Sequence, residues 1–205
     1  MTLRCGARRR MIALPALIVG MLLSTAFARA NEDPLAKRFG GPFELTAASG
    51  ERISDVSLRG RLLLISFGYT NCPDICPTTL ALMTEALESL GASGDAIQPI
   101  FISVDPQRDT PEKLAAYARS FHPRLLMLTG TETEIASVAK VYRVHRHKFL
   151  FPGQSATDVN YGVDHGSLMY LMGADGRFLT LIPHGATAER IAEVLRRYTV
   201  SKDGL

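Results

Sequence analysis

The chain contains no tryptophan, only three cysteines in 205 residues, and no acidic residue among its first thirty. It has no internal repeats and no low-complexity tract beyond that first segment. No P-loop, Ser-His-Asp arrangement or paired-carboxylate pattern stands out, so the chemistries those motifs signal are not indicated. No basic patch points to nucleic acid. The formal charge of +3 misleads, because residues 1–30 hold five arginines and no acid. The remainder has 18 Lys+Arg against 20 Asp+Glu, a formal charge of −2.

The acid-free start has a pattern of its own. Arg4, Arg8, Arg9 and Arg10 precede the apolar run Met11 to Phe27, and Ala28-Arg29-Ala30 fits a small-x-small cleavage site. This predicts a secretory signal peptide over 1–30. The alternative is an uncleaved membrane anchor, since Met11 to Ala28 is almost long enough to span a bilayer. Arg8-Arg9 matches a twin-arginine signal poorly, and Cys5 lacks the lipobox of a lipoprotein. The expected location is periplasmic or otherwise extracytoplasmic, either soluble after cleavage or tethered to the inner membrane. Residues 31–42, with Pro34, Gly40, Gly41 and Pro42, read as a linker. Residues 43–205 read as one domain, and 46% hydrophobic residues suffice for a substantial core.

Strand and helix patterns alternate along this domain. Phe43 to Thr46 and Glu51 to Ile53 flank Ser49-Gly50 and predict an N-terminal β-hairpin. Arg61–Phe67, Ile97–Val104 and Arg124–Leu128 read as buried strands. Helical stripes follow on Thr78–Leu90, from Thr110-Pro111 with Leu114, Tyr117, Ala118 and Phe121, and after Thr131, which with Glu134 forms a capping box. Residues 145–163 read as polar and irregular. Ser167–Met172 and Phe178–Ile182 form a second hairpin, and Thr187 opens a final helix. The expected fold is α/β: a thioredoxin-like central sheet flanked by helices, with an N-terminal β-hairpin.

Beyond the signal only Cys72 and Cys76 remain, in Tyr69-Thr70-Asn71-Cys72-Pro73-Asp74-Ile75-Cys76-Pro77. They follow the apolar run Leu62–Phe67. At helical i, i+4 spacing both sulfurs would leave the same helix N-terminus, whose dipole favours thiolate. A disulfide between them would close a tiny loop and constrain little, so a chemical role is indicated rather than a structural one. Two convergent thiolates can exchange with a disulfide or hold a soft metal such as Cu(I).

A thioredoxin-type oxidoreductase expects Cys-x-x-Cys, usually after Trp, and a proline just before the strand facing the dithiol. Here three residues intervene, tryptophan is absent, and that place holds Asp164-His165. Cys72, Cys76 and His165 make an S₂N set that suits copper, as Cu(I) or, with an added oxygen ligand, Cu(II). Asp164 could orient the loop or the imidazole. Asp105, Arg108 and Asp109, in the loop after the second strand, could dock a partner or serve turn formation and capping. Asp74, between the cysteines, could tune the thiols or meet a partner, or stand as an exposed helix-start acid favoured by the dipole. His145 and His147 form His-x-His and could share a face and hold a second metal. Beside Arg143, Arg146 and Lys148, a solvated basic face is the preferred reading. His122 and His184 read as structural.

Three stretches resemble signatures of the Sco/SenC family of copper proteins for cytochrome c oxidase assembly. They are Phe67–Leu80 around the cysteines, Phe101–Pro111, and Asp164-His165 with Tyr170-Leu171-Met172 and Asp175-Gly176. The resemblance covers roughly 40–198 in the family's order. Gly166 departs from the more frequent Ser or Thr. The resemblance implies a thioredoxin-like fold, copper held by Cys72, Cys76 and His165, and delivery to oxidase subunit II. It equally allows reduction of that subunit's cysteines, with Cys72 and Cys76 as the redox pair that forms a disulfide when oxidised. Another copper chaperone or a dithiol reductase would be a further partner. A copper or redox sensor is a third reading, and a peroxidase a weaker one.

Overall fold

Two consecutive seven-residue runs with every residue buried set the centre of the fold: β3 (Leu62–Gly68) and β4 (Ile97–Ser103). Such uninterrupted runs suit parallel strands covered on both faces, and the two pair in parallel from Leu62↔Ile97 to Gly68↔Ser103. The computed structural model describes residues 38–155 and 157–199. The predicted signal or anchor and the first part of the predicted linker lie outside the described residues.

The remaining strands are β1 (Glu44–Ala47), β2 (Arg52–Ser54), β5 (Leu126–Thr129), β6 (Arg146–Phe149), β7 (Gly162–His165), β8 (Met169–Met172) and β9 (Phe178–Ile182). Seven of them form one mixed sheet in the order β2-β1-β5-β4-β3-β8-β9. β5 runs parallel to β4, and β8 runs antiparallel to β3. The N-terminal hairpin extends the sheet, because β1 pairs with β5 through Thr46↔Thr129. The helices are α1 (Ile75–Ser89), α2 (Pro111–Ala118), α3 (Glu132–Tyr142) and α4 (Ala188–Thr199). α1 and α4 pack together, burying Leu80, Met83 and Leu87 of the first and Ile191 and Leu195 of the second.

The helix starts follow their sequence signals. Thr110 Oγ1 accepts from the Lys113 N–H at 3.3 Å. Thr131 and Glu134 complete a reciprocal capping box, each side chain accepting from the other's backbone N–H. Residues 38–42 have no helix or strand, yet the Gly40 N–H donates to the Val141 carbonyl at 3.0 Å and Phe39 packs on Phe178.

One expectation fails. Residues 145–163 are not irregular throughout, because β6 and β7 form a separate antiparallel ribbon with Arg146↔His165 and His147↔Asp164 opposed. Its strands are four residues each, and one is rich in charged and imidazole side chains. That composition hides the alternation of half-buried and exposed positions along Arg146–Phe149.

Candidate metal centre

The topology brings three distant segments to one end of the sheet. β3 ends at Gly68 opposite the end of β4 at Ser103. The loops that follow therefore begin side by side, and the Val104 N–H donates to the Gly68 carbonyl at 2.8 Å. β8 enters beside the same end of β3, with Met169 opposite Ser66. The short return from β7 to β8 thus carries His165 to the place where Cys72 and Cys76 lie.

Both cysteines are free thiols, Cys76 buried and Cys72 partly so. The ligand atoms of Cys72, Cys76 and His165 all lie within 4.8 Å of one another, the one such group among the described residues. Cys76 Sγ is 3.5 Å from His165 Nε2. His165 Nδ1 lies 2.9 Å from the Gly166 carbonyl oxygen. A carbonyl only accepts, so Nδ1 donates to it, and Nε2 faces the sulfurs. The Tyr69 ring meets the imidazole edge-on, with centroids 5.8 Å apart.

The helix does not hold both cysteines, as the i, i+4 spacing suggested. α1 begins at Ile75 with Asp74 as its N-cap, so Cys72 stands in the preceding loop. A residue before proline is kept from helical geometry, and Pro73 follows Cys72. The sulfurs converge because the loop folds back, and Cys72 Sγ accepts from the Cys76 N–H at 3.4 Å. Asp74 gives no side-chain cap, so this sulfur occupies the anion position at the helix start. The Cys72 thiol is accordingly pushed well below its ordinary value, first by its hydrogen bond with Cys76, then by His165 and backbone N–H groups. Cys76 is pushed up by the same partner and by burial. The contact between the two sulfurs therefore favours thiolate on Cys72 and thiol on Cys76.

The residues expected to dock a partner are partly reassigned. Asp105 and Asp109 have 0% exposure, and a buried carboxylate cannot meet another protein. Asp109 accepts from the Thr70 N–H at 3.0 Å, the Thr70 hydroxyl at 2.5 Å and the Ser103 hydroxyl at 2.7 Å. It therefore fixes the start of the cysteine loop. Asp105 accepts from the Tyr161 hydroxyl at 2.7 Å and from the Arg108 guanidinium. Arg108 also donates to the Val159 and Tyr161 carbonyls and lies over the Tyr161 ring. This cluster ties the segment leading into β7 to the loop after β4. Asp74 stays exposed, with Thr78 Oγ1 3.5 Å from its carboxylate.

Asp164 does not orient the imidazole. Neighbouring strand residues face opposite ways, and its carboxylate meets His145 Nε2 at 3.5 Å on the outer side of the ribbon. The Gly166 carbonyl holds His165 instead. Tyr69, Gly166 and Gly68 are the site residues that sequence reasoning missed. A Cβ on Gly68 would stand 2.8 Å from Cys76 Sγ and 2.7 Å from the Phe101 ring, so this glycine makes room for the thiol. The cysteine signature itself contained Gly68 and Tyr69; the role of a backbone carbonyl leaves no trace in side-chain identity.

Cys72, Asp74 and His165 open to an outer cleft whose apolar walls include Ile75, Phe149 and Val163. Among the described residues no helix is long and apolar enough to cross a membrane.

Comparison with known proteins gives a consistent picture. Protein SCO1 homolog, mitochondrial, from Homo sapiens is 42% identical over 165 residues, 78% of this chain and 54% of the human one. The chain thus aligns with about half the length of that relative. The solved structure of Bradyrhizobium japonicum ScoI with copper bound is 45% identical, covers 78% of this chain and 99% of its own, and superposes with a TM-score of 0.71. BsSco, described as a Sco-family cytochrome c oxidase assembly protein with a disulfide switch, is 28% identical over 85% of this chain and all of its own, with a TM-score of 0.63. The SCO1/SenC family model matches residues 31–200, taking in the cysteine loop, the loop after β4 and the ribbon that carries His165. On a thioredoxin-like sheet bearing this cysteine–histidine group, that match places the chain in the SCO1/SenC family.

Proposed function

We propose that this protein is a copper metallochaperone. It takes copper on Cys72 Sγ, Cys76 Sγ and His165 Nε2 outside the cytoplasm and hands it to the binuclear centre of cytochrome c oxidase subunit II. The observation that carries this reading is the convergence of two sulfurs and one imidazole nitrogen within 4.8 Å. Thiolate and imidazole donors together fit copper, with Cu(I) served by three ligands. The copper-bound relative supports the choice of metal, and BsSco, a cytochrome c oxidase assembly protein of the Sco family, supports oxidase assembly as the setting.

The ligands are unequal, and that suits transfer. Cys76 is buried, whereas Cys72 and His165 border the open cleft. An incoming acceptor thiolate reaches the metal from the Cys72 side. Each bond it forms replaces one that leaves, so Cu(I) passes without being freed. The exposed apolar side chains Ile75 and Phe149 beside the cleft offer a surface for the acceptor.

The test is copper binding by the reduced chain, wild type against His165→Ala, under competing Cu(I) and Cu(II) chelators. One tight copper per chain that is strongly weakened in the variant supports the assignment. Equal binding in both, or none, rejects it. A second reading, thiol–disulfide exchange with the oxidase cysteines, is favoured by the depressed Cys72 thiol, which is a ready nucleophile. It predicts that His165→Ala keeps its function.

A further inference from the structure

The ribbon that presents His165 on one face carries a second set of metal-binding side chains on the other. His147 lies directly opposite Asp164 in the antiparallel register, so their side chains leave the same face. His145 is two residues away and shares that face. Its Nε2 lies 3.5 Å from Asp164 Oδ1, with both side chains more than 60% exposed.

The nearby cations do not oppose a metal there. Arg146 and Lys148 alternate with the histidines and are half-buried. Arg146 donates to the Val104 carbonyl at 3.1 Å and pairs with Glu132 at 2.5 Å. Lys148 donates to Gln107 at 2.6 Å and lies over the Tyr161 ring. Arg143 donates to the Arg38 carbonyl at 2.8 Å and lies over Phe39. The solvated basic face suggested by the sequence is therefore divided, with Arg146 and Lys148 turned inward and the imidazoles outward.

We infer that His145, His147 and Asp164 form a second, peripheral metal site. Two imidazoles and a carboxylate make an N₂O set that takes a borderline divalent ion (Cu(II), Ni(II) or Zn(II)) and disfavours Cu(I), which prefers sulfur. The three ligand atoms do not converge as tightly as the Cys72–Cys76–His165 group. All three side chains are exposed, and the cross-strand register sets His147 directly opposite Asp164.

The test uses Ni²⁺ and the full chain carrying Cys72→Ser and Cys76→Ser, which removes the sulfur site. Titration is followed by calorimetry and by paramagnetic broadening of histidine ring signals. One Ni²⁺ per chain is expected, with the His145 and His147 signals lost first. His147→Ala or Asp164→Asn should each weaken binding by about tenfold or more, in line with the sensitivity of metal sites to lost partners, whereas His184→Ala should not. Unchanged affinity in His147→Ala, broadening centred on His165, or no bound Ni²⁺ would overturn the site, the last leaving only the His145–Asp164 contact.

Discussion

At the scale of single residues, the site depends on room and on protons. Gly68 supplies the room. Its replacement by alanine would bring a methyl group within 2.8 Å of Cys76 Sγ and 2.7 Å of Phe101. Overpacking of this kind costs about 1–3 kcal/mol. Gly68→Ala should therefore lower the melting temperature and weaken copper binding, read by the same chelator competition. Gly166 is the opposite case. A Cβ there meets its nearest neighbours, Val144 and His145, no closer than 3.7 Å, and its φ is not positive. Gly166→Ala should stabilise the fold by about 0.4–1 kcal/mol through the unfolded chain alone, with copper affinity unchanged in the chelator assay. The opposite shifts of the two thiols give a third expectation. Cys72 is depressed in the folded chain, so its stabilising contribution is complete above the ordinary thiol range. That contribution disappears only as pH falls through the lowered value. Cys76 is raised, so its share is present below the ordinary thiol range and declines as pH rises toward its elevated value. Alkylation of the apo protein in mildly acidic buffer, followed by peptide mapping, should modify Cys72 and spare Cys76. Equal modification of both would contradict the unequal acidity of the two thiols.

Elements place these residues, and the ribbon of β6 and β7 matters most. It reaches the body of the fold through Arg146, whose guanidinium donates to the Val104 carbonyl at 3.1 Å and pairs with Glu132. It is also held by Arg108 and Tyr161 around the buried Asp105. Arg146→Ala removes one anchor while leaving the cysteine loop fixed by Asp109. Copper affinity should fall in this variant through misplacement of His165, and the alkylation rate of Cys72 should change little. A parallel fall in both would mean that the whole end of the sheet had loosened. The ribbon is also where sequence reading gave out. The central strands, the capping box at Thr131 and the proline-started α2 were legible because each carries a local signal, whether an apolar run, a cap or a fixed φ. β6 has Arg-His-Lys-Phe and no apolar alternation, so its strand character comes from pairing with β7 and from cations packed against distant partners. Asp105 and Asp109 misled for the same reason. An aspartate in a loop reads as exposed, and only the folded chain reveals that three donors have drawn Asp109 inside.

At the scale of the whole molecule, the fold gathers three sequence segments at one end of the sheet, and the identities of the ligands were readable before their geometry was. His165 stands where a thioredoxin-type chain has a proline opposite its dithiol, which makes the set Cys72, Cys76 and His165 legible in the sequence. Their convergence depends on β8 returning beside β3, a pairing that no local pattern encodes. The same arrangement separates the two functional readings in living cells. Copper transfer needs all three ligands, whereas disulfide exchange needs only the sulfurs. A strain whose oxidase assembly depends on this protein should lose its binuclear copper signal, measured spectroscopically in membranes, both with Cys72→Ser and with His165→Ala. Added copper should restore the signal in part in the His165→Ala strain, because a two-sulfur site still captures Cu(I), though weakly. If His165→Ala instead assembles oxidase normally at low copper while Cys72→Ser does not, the dithiol acts as a reductant toward the acceptor. The imidazole beside Cys76 would then be dispensable, and the two sulfurs alone would carry the function.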